Sequence, residues 1–144
     1  MEKSLYNLGI KKIEYYLKRY SLLDLKINKL SKNLDDYDYK PTYNKWIKNK
    51  CSSVEEFSIR NIELEQKIQK IKKWQNLITS ILEQYKTKDK QKYMFICLKY
   101  FKKLTSIKIQ KLMNLTEEEQ ENINTQILNY ILDVAIKNKM LKEV

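Results

Sequence analysis

LTSIKIQKLMNLTEEEQENINTQILNYILDVA, residues Leu104 to Ala135, is the stretch whose reading decides the fold. Its pattern predicts a short helix opening at Thr105 or Ser106, a turn at Asn114-Leu115-Thr116, and a longer helix beyond, the layout of a helix-turn-helix. The second helix carries Glu117, Glu118, Glu119 and Glu121 at the end that would meet nucleic acid, and no Lys or Arg before Lys137. Shape and charge therefore point in opposite directions.

The rest of the chain supports a helical reading. One Gly and one Pro in 144 residues leave few residues for tight hairpins, while Lys, Leu, Glu and Ile are abundant. An all-α protein is expected. The formal charge of +11 draws polyanions, because neutralising phosphates releases counterions. Lys outnumbers Arg by 27 to 2, which an AT-rich genome also writes at permissive surface positions, so distribution carries more than total. Residues 86–111 hold nine Lys against one Asp, whereas residues 117–133 hold five carboxylates and no base.

There is no His, which removes the usual zinc ligand and the commonest general base. Cys51 and Cys97 stand far apart without metal-type spacing, and Cys97 reads as a small core residue within Met94-Phe95-Ile96-Cys97-Leu98. No glycine-rich phosphate loop is present, and Asp35, Asp36 and Asp38 read as a solvated loop edge. The expectation is a protein without catalytic residues, metal or cofactor. Every apolar stretch is broken by Lys within a few residues, so no signal peptide or transmembrane run is read and a soluble, cytoplasmic chain is expected.

Upstream, Ile10, Ile13, Leu17, Tyr20, Leu23, Ile27, Leu30 and Leu34 recur at steps of three and four, predicting one helix from Ser4 to about Leu34 with Gly9 as a weak point near its start. Residues Asp35 to Ser53, with Pro41, Tyr37, Tyr39, Tyr43 and Trp46, read as a long connection. Its aromatic side chains either stack bases or cover the open end of a helical hairpin, the second being the commoner use. Ser52 or Ser53 offers an N-cap for a helix to about Tyr85, with Phe57, Leu64, Ile68, Ile71, Ile78, Leu82 and Tyr85 on its stripe, and polar Asn61 and Gln75 on or beside it. An antiparallel long-helix hairpin, residues 4–34 against 54–85, satisfies both stripes. The charged KTKDKQK at 86–92 is the expected boundary between an N-terminal hairpin domain, 1–85, and a C-terminal trihelical domain, 86–144. In that domain Asp89 would cap a helix over Lys90–Lys103 with Tyr93, Met94, Cys97, Leu98 and Phe101 on its apolar face. The expected core combines Tyr93, Cys97, Phe101, Ile109, Leu112, Met113, Leu115, Ile123, Ile127, Ile131 and Ala135.

The C-terminal half resembles sigma-factor region 4 and the small phage regulators built on it. In those proteins an aromatic pair precedes Leu-Thr-x-x-x-Ile-x-x-x-Leu-Gly-Ile-Ser and a recognition helix comes next. Here Tyr100-Phe101, Leu104-Thr105, Ile109, Met113, Asn114, Leu115 and Thr116 stand at the matching places. Asn114 replaces the usual Gly and is the next-best residue for a left-handed turn. Thr116 replaces Ser as N-cap, and Glu119 completes a capping box. The N-terminal half is similar to the hairpin of prophage late-gene transcription activators of the ArpU and RinA type. The resemblance implies a phage or prophage transcription regulator that binds promoter double-stranded DNA and contacts RNA polymerase.

Two function classes are compatible with these residues. In a DNA-binding regulator, Lys99, Lys102, Lys103, Lys108 and Lys111 would hold phosphates while Gln120, Asn124 and Gln126 face base edges. Alternatively, the scaffold is a protein-interaction module, an adaptor or inhibitor of polymerase or another host protein, with Glu117, Glu118, Glu119 and Glu121 as its contact face. A third form makes the hairpin a homodimer interface. Neither class calls for a membrane or a small-molecule substrate.

Overall fold

A computed structural model describes the backbone of residues 2–38 and 53–141 and the side chains of 3–33 and 58–141. The chain is all-α, and the described residues contain no strand. Helix α1 spans Glu2–Lys18, a single 3-10 turn covers Tyr20–Leu22, and α2 spans Leu23–Asp38. Helix α3 runs over Ser53–Lys88, α4 over Lys90–Ile96, α5 over Ser106–Met113 and α6 over Glu117–Lys137. Residues 39–52, which carry Tyr39, Pro41, Tyr43, Trp46 and Cys51 of the expected aromatic connection, lie outside the described residues.

The expected single helix from Ser4 to Leu34 is interrupted after Lys18. Tyr20 supplies the local cause: its hydroxyl is hydrogen-bonded to Thr79 Oγ1, and its ring stacks on Phe101 at a centroid distance of 5.4 Å. A continuous helix would hold Tyr20 on a turn fixed by its neighbours, so the chain gives up one turn to make these tertiary contacts. Beyond the interruption α2 extends to Asp38, past the expected break at Asp35.

The chain forms two compact units: residues 1–21 with 75–144, and residues 22–74. The smaller unit buries Leu23, Ile27, Ile68, Ile71 and Trp74. The first four of these lie on the stripes read from sequence. The larger unit brings α1 against the C-terminal helices, so the first helix shares a core with α6. No irregular linker separates residue 85 from the helix after it. Helix α3 continues to Lys88, and Asp89 N-caps α4, its carboxylate accepting from Lys92 N at 3.3 Å.

Gly9 permits the approach of α1 to α6. It is buried, and a Cβ placed there would stand 2.8 Å from Leu132 Cδ1 and 3.6 Å from Leu141 Cδ1. The first distance is below any ordinary carbon contact. What reads in sequence as a weak point in a helix is thus the notch into which the side chain of α6 fits. Nearby, the Tyr6 hydroxyl donates to Asn129 Oδ1.

Helix α4 departs most from its expected face. Over Cys97–Phe101 it widens into a π turn, with Lys102 N donating to Cys97 O at 2.9 Å and Leu104 N to Leu98 O at 3.0 Å. Lys103 closes it with a left-handed φ of 54°. The extra residue per turn shifts the helix register. Phe95, Ile96, Leu98 and Tyr100 become buried, Tyr93, Cys97 and Phe101 are half-buried, and Met94 is 51% exposed. Leu112, expected in the core, is 64% exposed on α5.

Candidate functional site

The candidate site is the α5–turn–α6 element and the lysines leading into it. Thr105 caps α5, its hydroxyl accepting from Lys108 N. Asn114 ends it with φ 56° and ψ 52°. Its amide N–H donates to Gln110 O, and Leu115 N donates to the same carbonyl at 3.0 Å, closing the helix end through a left-handed residue. Thr116 then opens α6 with the expected capping box. Thr116 Oγ1 accepts from Glu119 N, and Glu119 Oε1 accepts from Thr116 N, both at 3.1 Å. A few residues of sequence thereby satisfy free backbone groups at both helix ends.

Side chains from α5 and α6 then lock the two helices together. Gln120 is only 6% exposed. Its Oε1 accepts from Ser106 Oγ at 2.8 Å and from Gln110 Nε2 at 3.0 Å. This corrects the expectation that Gln120 faces bases: it is the polar pin of the α5–α6 contact. Asn124 is also engaged, its Oδ1 accepting from the Tyr100 hydroxyl at 2.7 Å. Burial raises the pKa of that phenol, the Glu14 carboxylate adds to the rise and the Asn124 bond opposes it. Of the three expected base readers, Gln126 alone is exposed and free of an intramolecular hydrogen bond among the described residues.

The sequence carried a signal for this. Gln120 precedes Ile123, Ile127 and Ile131 at steps of three, four and four, and Asn124 precedes Leu128 and Leu132 at steps of four. All five apolar residues are buried, so both amides lie on buried stripes. The Tyr6–Asn129 bond and a bond from the Tyr130 hydroxyl to Gln84 Oε1, 2.9 Å, extend the pattern to α1 and the end of α3. Periodicity alone gives no partner for either residue. Helix α6 is accordingly the central helix of its unit, joined by polar bonds to α1, α3, the π turn and α5.

What α6 leaves exposed before its last turn is acidic and polar, Glu117, Glu118, Glu119, Glu121, Asn122, Thr125, Gln126 and Asp133, with Lys137 exposed at its end. The basic groups expected to hold phosphates lie before it. Lys102, Lys103, Lys108 and Lys111 are exposed, and none makes an ion pair with a described carboxylate. Lys99 differs from them. It is half-buried, with its Nζ 5.7 Å from the Phe95 ring centroid and 5.5 Å from that of Tyr100. It lines a cleft of about 200 Å³ together with Glu117, Gln120, Glu121 and Asn124. Burial lowers its pKa, with Glu14 opposing and Lys18 assisting. Lys99 therefore stands apart from the exposed lysines expected to share its role.

No known family, curated protein or solved structure matches this chain. The likeness to phage regulators rests on residues of this chain alone. Among the described residues, no three Cys, Asp or Glu side chains come together as a metal site, and no helix is long and apolar enough to cross a membrane.

Proposed function

We propose that this chain is a transcription regulator of the phage late-gene type that associates with double-stranded DNA mainly through the phosphate backbone. Support comes from the four exposed ammonium groups of Lys102, Lys103, Lys108 and Lys111, unpaired among the described residues, which flank or lie on the first helix of the helix–turn–helix element. Such groups gain from counterion release whatever the base sequence. With Gln120 and Asn124 turned to internal bonds, the base-reading capacity reduces to Gln126, so sequence discrimination is expected to be low. The resemblance at Leu104–Thr116 favours this reading.

A salt-series titration of the full chain with duplex DNA tests it. Affinity should fall with a log–log slope of several units, and each of the four lysines changed to Gln should lower that slope by about one. Absence of binding at low salt overturns the proposal.

One observation favours the second reading, a protein-interaction module. The exposed strip of α6 presents Glu117, Glu118, Glu119, Glu121 and Asp133 and no basic side chain between them. That strip repels phosphates and complements a basic protein surface.

A further inference from the structure

An open groove of about 670 Å³ lies on the larger unit, lined by Tyr93, Met94, Cys97, Leu98 and Leu112, with Lys86, Lys90 and Lys102 at its edge. Met94 and Leu112 are 51% and 64% exposed there. The floor is apolar, and no carboxylate lines it. None of the three lysines is ion-paired with a described carboxylate. The groove lies beside the π turn at Cys97–Phe101, where Met94 on α4 and Leu112 on α5 both face solvent. From its apolar floor and its unpaired cationic edge, we infer that this groove is a docking site for an acidic amphipathic helical segment of a partner protein.

The chemistry selects this occupant over others. Apolar residues at steps of three and four would rest on Met94, Leu98 and Leu112, and carboxylates on the flanks would meet Lys86, Lys90 and Lys102. Nucleic acid would satisfy the lysines and leave the apolar floor uncovered. On a second copy, Ile59 and Ile62 of α3 are exposed on a face of mixed charge with Arg60, Glu63 and Glu65, whereas α6 offers carboxylates with no large exposed apolar residue among them. Its acidic strip would reach the edge without filling the floor. The inference does not depend on DNA binding, although Lys102 belongs to both surfaces.

The test uses the full chain and a synthetic helical peptide with Leu and Phe at steps of three and four and Glu elsewhere, followed by fluorescence anisotropy. Binding is expected, weakened roughly tenfold in Met94→Gln and in Leu112→Gln and lost progressively in Lys86→Gln, Lys90→Gln and Lys102→Gln. A control peptide with Gln at the apolar positions should not bind. Because Met94 and Leu112 are exposed, their variants should fold, as circular dichroism will show. DNA titrations of these two variants should be unchanged, which separates failure here from failure of the regulator reading. Equal binding of both peptides, or affinity unaltered in Met94→Gln and Leu112→Gln, overturns the inference. So does a dimer in sedimentation, or binding to anionic lipid vesicles, that those two substitutions abolish.

Discussion

Gln120 Oε1 accepts a hydrogen bond from Ser106 Oγ at 2.8 Å, and this bond ties α6 to α5. The same oxygen accepts from Gln110. Replacing Gln120 by Ala removes the shared acceptor and opens a space beneath α5. A loss of roughly 1–3 kcal/mol is expected by chemical denaturation, with the DNA salt slope unchanged. A base-reading role for Gln120 would instead leave stability alone and change DNA affinity.

Gly9 and Leu132 form a second tested pair. At an open helical site, Gly→Ala stabilises by about 1 kcal/mol. Here the new Cβ would meet Leu132 Cδ1 at 2.8 Å, and Leu132 is buried, so overpacking of roughly 1–3 kcal/mol offsets that gain. Gly9→Ala should therefore be neutral or destabilising. Combining it with Leu132→Ala should give less than the summed loss in a double-mutant cycle. A Gly9→Ala variant that is plainly more stable would show that α1 and α6 are not in close contact.

Asn114 holds φ 56°. Asn114→Gly should keep or slightly raise stability, because glycine enters this region without steric conflict. Asn114→Val should lose roughly 1–2 kcal/mol from contact between Cβ and the next carbonyl oxygen. Thermal melts of the two variants give the comparison, and equal values would argue against a left-handed residue at the turn.

Tyr85 is 6% exposed and its hydroxyl has no hydrogen-bond partner among the described residues. Burial pushes its pKa up to about 12 from 10.0, and Tyr130 and Asp89 add to the rise. The neutral phenol is the form the fold accepts. Its contribution to stability is thus complete below pH 10 and is lost as pH rises through about 12. The buried Tyr100 phenol shifts the same way. Alkaline unfolding should coincide with delayed phenolate absorbance. Tyr85→Phe should be neutral or stabilising at pH 7, since it removes an unpaired buried hydroxyl. A destabilised Tyr85→Phe would reveal a partner for that oxygen.

The four carboxylates Glu117, Glu118, Glu119 and Glu121 provide the discriminating functional variant. Changed together to Gln, they should raise DNA affinity about tenfold or more at low salt if α6 lies near the duplex. An unchanged affinity places DNA elsewhere on the chain and favours protein recognition by α6. Glu119→Gln retains an oxygen able to accept the Thr116 N bond, so the capping box should survive the comparison.

Local chemistry makes much of this protein legible from its residues. Asn114, Thr116 and Glu119 act within a few residues of one another, and the turn they build is readable as a turn, a cap and a capping box. Asp89 caps α4 for the same reason. The stripes through Ile13, Leu17, Leu23, Ile27, Ile68, Ile71, Ile78 and Leu82 are readable because burial at helical spacing is a property of one helix.

Sequence by itself thus determined that the chain is all-α, where the helices opening at Ser106 and Glu117 begin, and that Ile109, Ile123, Ile127, Ile131 and Ala135 are buried. Tertiary structure alone decided that Gly9 is a notch for Leu132, that Tyr20 interrupts the first helix to reach Thr79 and Phe101, and that a π turn over Cys97–Phe101 follows α4. It also decided that Gln120 and Asn124 bond inward to Ser106, Gln110 and Tyr100. Each of these depends on a partner distant along the chain. Helical periodicity says which residues share a face, but the partner across that face sets whether an amide meets water, a base edge or another side chain.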